Sequence, residues 1–294
     1  LGFRKEFLQP GLCFRYHRCG ALLGLTRKTI PTFRLPLLHA QRTGLNMLTK
    51  TTKWLVGGAA AAMVSAMAAG RLLGTPTTPD LRYLPRWLTL GQSALLSAAA
   101  WGLQRVFRNT PVADVATHLA VGMTLGTVGD VFMAQQNVPL GMAAFGAGHI
   151  AYVRGLLRLS NQQRLPRPLA MGVAWGAWSV IGAAGWLGLV RLGPQGSSTL
   201  GWLALPYSLL LASTAGVATG LSVQEPRYWP LAAGAVIFLT SDVLIAMRLF
   251  NPSLFAAIPK SIRGDLVWLT YAPAQMLLVG GSLLAAWVQQ RQPV

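Results

Sequence analysis

The sequence is poor in negative charge: 7 Asp and Glu stand against 25 Lys and Arg, and charged residues of both signs make up only 11% of the chain. A soluble globular domain carries about a quarter. Together with 53% hydrophobic residues and a mean hydropathy of +0.46, this shortage excludes a soluble domain and points to a polytopic membrane protein. Cysteine is almost missing too. Its 2 copies, Cys13 and Cys19, lie near the N-terminus, so disulfides have no part in the apolar remainder. Cys13, His17 and Cys19 are the only clustered metal-ligand types, and inside a basic arm they read as unpaired residues rather than a zinc site. Motifs of the HExxH kind are lacking as well, so neither a metal nor another cofactor is expected.

What is abundant is positive charge, +18 net, which raises nucleic acid as a partner until the charge is located. Ten of the 25 Lys and Arg fall in residues 1–53, where Glu6 is the only acid. Most of the others flank apolar runs, as charges at membrane surfaces do, and no nucleic-acid partner is expected. Residues 1–53 open on Leu1, are rich in Arg and hold no apolar stretch of spanning length. They resemble a transit peptide or a disordered basic arm, with Met47 as an alternative start.

From Trp54 the apolar runs follow one another at about 54–74, 88–106, 113–134, 139–159, 169–191, 198–220, 228–250 and 265–288. Each is near the ~20 residues that a bilayer core demands. Turn and charge signals separate them, such as Thr75-Pro76-Thr77-Thr78-Pro79-Asp80, Gln224-Glu225-Pro226-Arg227 and Asn251-Pro252-Ser253. The expected fold is therefore all-α: an eight-helix transmembrane bundle over 54–288, between the basic tail and a short C-terminal tail, 289–294. Gly141, Gly146 and Gly148 in the fourth run predict close helix contacts. The basic tail predicts that both termini lie inside.

A carboxylate within hydrocarbon costs roughly 2.5–3.5 kcal/mol even on insertion scales. Asp130 in the third run and Asp242 in the seventh therefore stand out, and they read as the only acids deep in the bundle. His149 and Tyr152 share a face of the fourth helix. Tyr207 follows Pro206 in the sixth, Ser241 precedes Asp242, and Tyr271 and Gln275 flank Pro273 in the eighth. At ~1.5 Å per residue these positions lie roughly 6–17 Å from one bilayer face, opposite the N-terminus. Taken singly, Ser, Thr, Tyr and Gln in membrane helices tie neighbouring helices together. Asp114 and His118, near the start of the third helix, read as cap and interface groups. Arg154, one turn beyond His149, either snorkels to the surface or pairs with an acid.

Gly129-Asp130-Val131-Phe132 and Phe145-Gly146-Ala147-Gly148-His149-Ile150-Ala151-Tyr152 resemble the pattern of the YhhN-like, transmembrane-protein-86 family. Pro206-Tyr207, Phe238-Leu239-Thr240-Ser241-Asp242 and Thr270-Tyr271-Ala272-Pro273-Ala274-Gln275 follow in the same order. The resemblance covers about Trp54 to Val288. It departs at the second helix, where the family often opens with Lys-Pro and this chain reads Leu84-Pro85-Arg86-Trp87, so headgroup recognition does not carry over.

Known members of that family are lysoplasmalogenases, eight-helix membrane hydrolases. The resemblance implies cleavage of the vinyl ether of a lysophospholipid taken from the bilayer, to a fatty aldehyde and glycerophosphocholine or glycerophosphoethanolamine. Such cleavage needs an acid for the alkene carbon and an anion beside the resulting oxocarbenium ion, work that paired carboxyls divide in glycosidases. The expected catalytic set is Asp130, Asp242 and His149. Tyr152, Tyr207, Ser241, Tyr271 and Gln275 are expected to hold substrate and water. Membrane lipids are the other expected partners. The expected location is the endoplasmic reticulum in a eukaryote and the inner membrane in a bacterium. The rival reading is a proton-coupled carrier, because intramembrane Asp and His also build ion pathways.

Overall fold

One three-residue turn shows how local chemistry sets the architecture. Helix α3 (Ala113–Ala134) ends where Gln136 adopts φ 61°. The Asn137 amide then bonds back to the Phe132 carbonyl at 2.9 Å and the Gln136 amide to that of Met133 at 3.1 Å. These two bonds form a Schellman closure with Gln in the left-handed position usually given to Gly. Asn137 also starts α4 (Val138–Gln162), its side chain accepting from the Leu140 amide at 3.3 Å, with Pro139 in the first turn. So short a connection makes α3 and α4 antiparallel neighbours.

The computed structural model describes residues 57, 58, 60–73, 83–163 and 168–289, the last five as backbone only. The expected basic tail, with Cys13, His17 and Cys19, lies outside the described residues, as do 290–294. The remaining elements are α1 (Ala60–Leu73), α2 (Arg86–Phe107), α5 (Pro168–Gly185), α6 (Thr199–Gln224), α7 (Trp229–Phe250), the short α8 (Pro252–Ala256) and α9 (Lys260–Arg263), and α10 (Leu266–Gln289). No strand occurs among the described residues.

Five helical segments are long and apolar enough to cross a membrane: α3, α5 with its extension to Arg191, α6, Pro226–Phe250 containing α7, and Leu266–Leu284 of α10. The expected runs on α2 and α4 also fold as long helices, but their inward stripes lower their hydropathy. On α2 the buried positions Thr89, Ser93, Leu96, Ala100, Leu103 and Phe107 follow a 3.5-residue period, with Gln92 and Ser97 beside them. On α4 the stripe is Gly141, Phe145, Gly148, Tyr152, Gly155 and Leu159. Its glycines meet α3 closely: a Cβ at Gly148 would lie 3.0 Å from the Gly122 carbonyl, and one at Gly122 would overlap the Tyr152 ring. These two glycines thus fix how deeply Tyr152 enters the bundle.

Packing runs α2–α3–α4–α6–α7–α10, and α10 returns to α2 and α3. Helix α5 packs on α6 outside this ring. Gly182 is its only buried residue, and Leu169, Val173 and Val180 are largely exposed, as suits a lipid-facing helix. The ring is sealed at one end by an apolar core including Phe107, Val115, Leu119, Leu159, Leu221, Tyr228 and Leu283. Its other end holds the Phe145, Leu211, Phe238 and Tyr271 cluster. Polar side chains concentrate there.

Candidate functional site

Asp130 sits on the last turn but one of α3, facing α2. Ser93 donates its hydroxyl to Asp130 Oδ2 at 2.5 Å, and Ser93 Oγ also lies 3.0 Å from Thr127 Oγ1. Across the ring, Tyr207 donates to Asp242 Oδ2 at 2.6 Å. The helix-internal Pro206 immediately precedes this tyrosine, whereas Pro273 follows Tyr271 by two residues. A proline there removes one helical N–H and leaves the carbonyl four residues back without its donor. Hydroxyls, not cations, therefore hold both carboxyls.

Two cavities meet at this layer. The first, about 160 Å³, is apolar and runs between α4, α5, α6 and α7, with Phe145, Gly182, Trp186, Leu189, Leu211 and Leu249 in its wall and Tyr207 and Asp242 at one end. The chain forms a π-helical turn, Trp186–Arg191, along this cavity, a distortion common beside functional sites. The second, about 320 Å³, is the more polar of the two, with a mixed lining, and lies between α2, α3, α7 and α10. Asp130, Asp242, Tyr271, Trp268, Arg86 and Arg248 line it, together with the strained Gln136. Asp242 borders both cavities, and Asp130 borders the polar one.

Behind the cavities lies a second row. His149 is buried, its Nδ1 2.9 Å from Thr214 Oγ1. Its ring meets Phe238 edge-on at 4.8 Å and Tyr152 and Tyr207 at 5.9 and 6.2 Å. Tyr152 donates to Gln275 Oε1 at 2.7 Å. A Cβ at Gly126 would lie 3.1 Å from Tyr271 Oη and 3.5 Å from Gln275 Nε2, so these α10 atoms reach α3 one turn before Asp130. His149 Nε2 is buried without a hydrogen-bond partner among the described residues, whereas the Tyr271 hydroxyl interacts with Asp130 and Gln275.

The expected residues thus divide. Asp130, Asp242, Tyr207 and Tyr271 line these cavities, whereas His149, Tyr152 and Gln275 stand behind them and line neither. Ser241 also lines neither: it is fully buried and donates to the Val267 carbonyl at 3.3 Å, tying α7 to α10. These side chains point into helix–helix seams: His149 meets Thr214, Tyr152 meets Gln275, and Ser241 meets the Val267 carbonyl. Ser93, Thr214 and Trp268 were missed by sequence reasoning. The signal for Ser93 was the Gln92-Ser93 and Ser97 stripe inside an apolar run.

A further correction concerns the acids. Asp265 is fully buried, so Asp130 and Asp242 are not the only deep ones. Asp265 accepts from Arg71 at 2.9 Å and from the Tyr83 and Leu84 amides at 3.2 and 3.1 Å. Asp114 forms no N-cap, since Val112 holds that position. It pairs instead with Arg158 across the α3–α4 interface and lies 3.4 Å from His118 Nδ1. Arg154 is exposed on α4, the snorkelling alternative.

A family model, that of the YhhN family, matches residues 86–282. The chain belongs to the YhhN family. No curated protein and no solved structure matches it. The YhhN match opens at Arg86, so it covers both cavities and their linings and leaves α1 outside. The resemblance expected from Trp54 to Val288 is narrowed accordingly.

Proposed function

We propose that this YhhN-family protein is a lysoplasmalogenase, an eight-helix membrane hydrolase that cleaves the vinyl ether of a lysophospholipid. The observation that carries the reading is the pair Asp130 and Asp242 on one polar cavity, with Asp242 also at the end of an apolar one. The alkenyl chain occupies the apolar cavity, which brings the carbon that bears the chain nearest Asp242. Asp242 gives its proton to that carbon, forming a C–H bond and leaving an oxocarbenium ion at the carbon attached to oxygen. Asp130, on the polar side, faces the cation and takes a proton from the water that adds to it. The hemiacetal then collapses to a fatty aldehyde and a glycerophospho-alcohol, one water being consumed per turnover. Tyr207 orients the acid and Ser93 the base, while the His149–Tyr152–Gln275 row fixes Tyr207 and Tyr271 from behind.

The test follows the proton. In D₂O, aldehyde trapped at once by reduction carries one deuterium on the carbon next to the former carbonyl. Unlabelled aldehyde would overturn the two-carboxyl mechanism, and no aldehyde at all would favour a carrier.

A further inference from the structure

The lining of the apolar cavity suits a hydrocarbon: it is apolar apart from Tyr207, Ser208 and Asp242, and it follows α7 from Asp242 to Phe250. At ~1.5 Å per residue that stretch spans about 12 Å, the length of about nine carbons of an extended chain. Buried Val190, Ala204 and Phe250 pack together at the far end. The side wall is built differently. Helix α7 packs on α6 and on the π-helical turn Trp186–Arg191, and it meets α5 itself far less. On α5, Ile181 borders the cavity and is half-exposed, and Gly185, one turn on, borders it and is only partly buried.

The two glycines in this wall do different things. A Cβ at Gly182 would lie 2.8 Å from the Ala212 Cβ and 3.1 Å from the Ser208 carbonyl, so Gly182 lets α5 approach α6. A Cβ at Gly185 would meet nothing within 4 Å. The absence of a side chain at Gly185 therefore serves no helix contact. It falls where α5 and α7 are least packed together, beside a cavity that ends on Asp242.

We infer that the slot between α5 and α7 is a lateral portal through which the alkenyl chain of a lysophospholipid enters from the bilayer, and that Gly185 sets its width. The identity of the lipid rests on the hydrolase reading; a portal for an alkyl chain does not. Lipid tails are as apolar as this wall, so a chain gains little by passing from bilayer to cavity. Steric room decides its passage, and glycine leaves the most. A chain longer than the cavity keeps its end among the lipid tails, past the exposed Ile181. Gly182 lies against Ser208, next to the Tyr207 that holds Asp242. Gly185 is about 4.5 Å further along α5, so only about the first four carbons of a chain lie short of it.

Binding rather than turnover tests this, so that failure of the hydrolase reading is seen separately. The full chain carrying Gly185→Cys is labelled with thiosulfonates that add a methyl or a benzyl group through a disulfide, which a reductant later removes. The wild-type chain, whose thiols are Cys13 and Cys19, is the labelling control. The probes are lysophospholipids with a saturated ether, one with a chain of about four carbons and one of about sixteen. Relative to the same variant unlabelled, the benzyl group should weaken the long-chain lipid by at least about tenfold and leave the short-chain lipid within about twofold. The methyl group should cost less than the benzyl group, and reduction should restore long-chain binding, which reports that the labelled protein stayed folded. Equal weakening of both lipids, or of neither, overturns the portal, as does a thiol at position 185 that no reagent reaches. A selective loss of the long chain in a protein that releases no aldehyde from a vinyl-ether lysolipid keeps the portal and refutes the hydrolase.

Discussion

Two buried acidic sites at the same end of the bundle show opposite designs. Asp265 has what a buried charge needs: a guanidinium, two backbone amides and complete burial. It staples α1, the start of α2 and the start of α10, and it faces no solvent. Asp242 has the Tyr207 hydroxyl and Asp130 those of Ser93 and Tyr271, and both acids border an open cavity. A carboxyl whose lone pairs are satisfied by a cation and amides is held for structure. One left with neutral hydroxyl donors alone at a cavity wall retains capacity for proton chemistry, and at such sites the perturbing environment is itself a functional signal.

The sharpest break of this comparison is removal of the acid without its shape. Asp130→Asn and Asp242→Asn should each lower kcat/KM for a vinyl-ether lysolipid by at least about 10², with the larger loss at Asp242. Thermal unfolding in detergent should hardly move, and near-normal turnover in either variant would return that residue to a structural role. Asp265→Asn is the mirror image. It should cost about 1–3 kcal/mol of stability and preserve the rate per folded molecule, measured as a lower unfolding temperature with unchanged kcat. A rate collapse there would erase the distinction between the two sites.

Smaller changes sharpen it. Tyr207→Phe removes the donor to Asp242 while keeping the ring, and it should slow turnover about tenfold, the upper worth of a neutral hydrogen bond. An effect on unfolding alone would mean that the phenol only packs. Asp114→Asn breaks a solvent-exposed pair with Arg158. It should alter stability by less than about 1 kcal/mol and activity not at all, which makes it the control for both sites.

Much of the scaffold was legible in the residues because it depends on local chemistry. The apolar run 113–134 became α3 with the same ends, and 228–250 became α7 starting one residue later. The run 198–220 was underestimated: α6 continues to Gln224 because nothing from Leu221 to Gln224 forbids helix, and Pro226 lies just beyond its end. The aspartates at 130 and 242 were visible because their cost inside an apolar run is independent of the partners. The supporting row was less legible. His149 and Tyr152 were placed on one helix face, yet that the face turns toward Thr214 and Gln275 rather than a cavity depends on α6 and α10, which lie far along the chain.

By itself, then, the sequence determined the helical class, most helix boundaries and the presence of acids in hydrocarbon, since periodicity, breakers and burial cost act over a few residues. Tertiary structure alone decided which buried acid is which. Asp265 finds Arg71 across 194 positions of chain, and Ser93 finds Asp130 across 37. The partner that makes a carboxylate inert or reactive is brought to it only when distant helices pack.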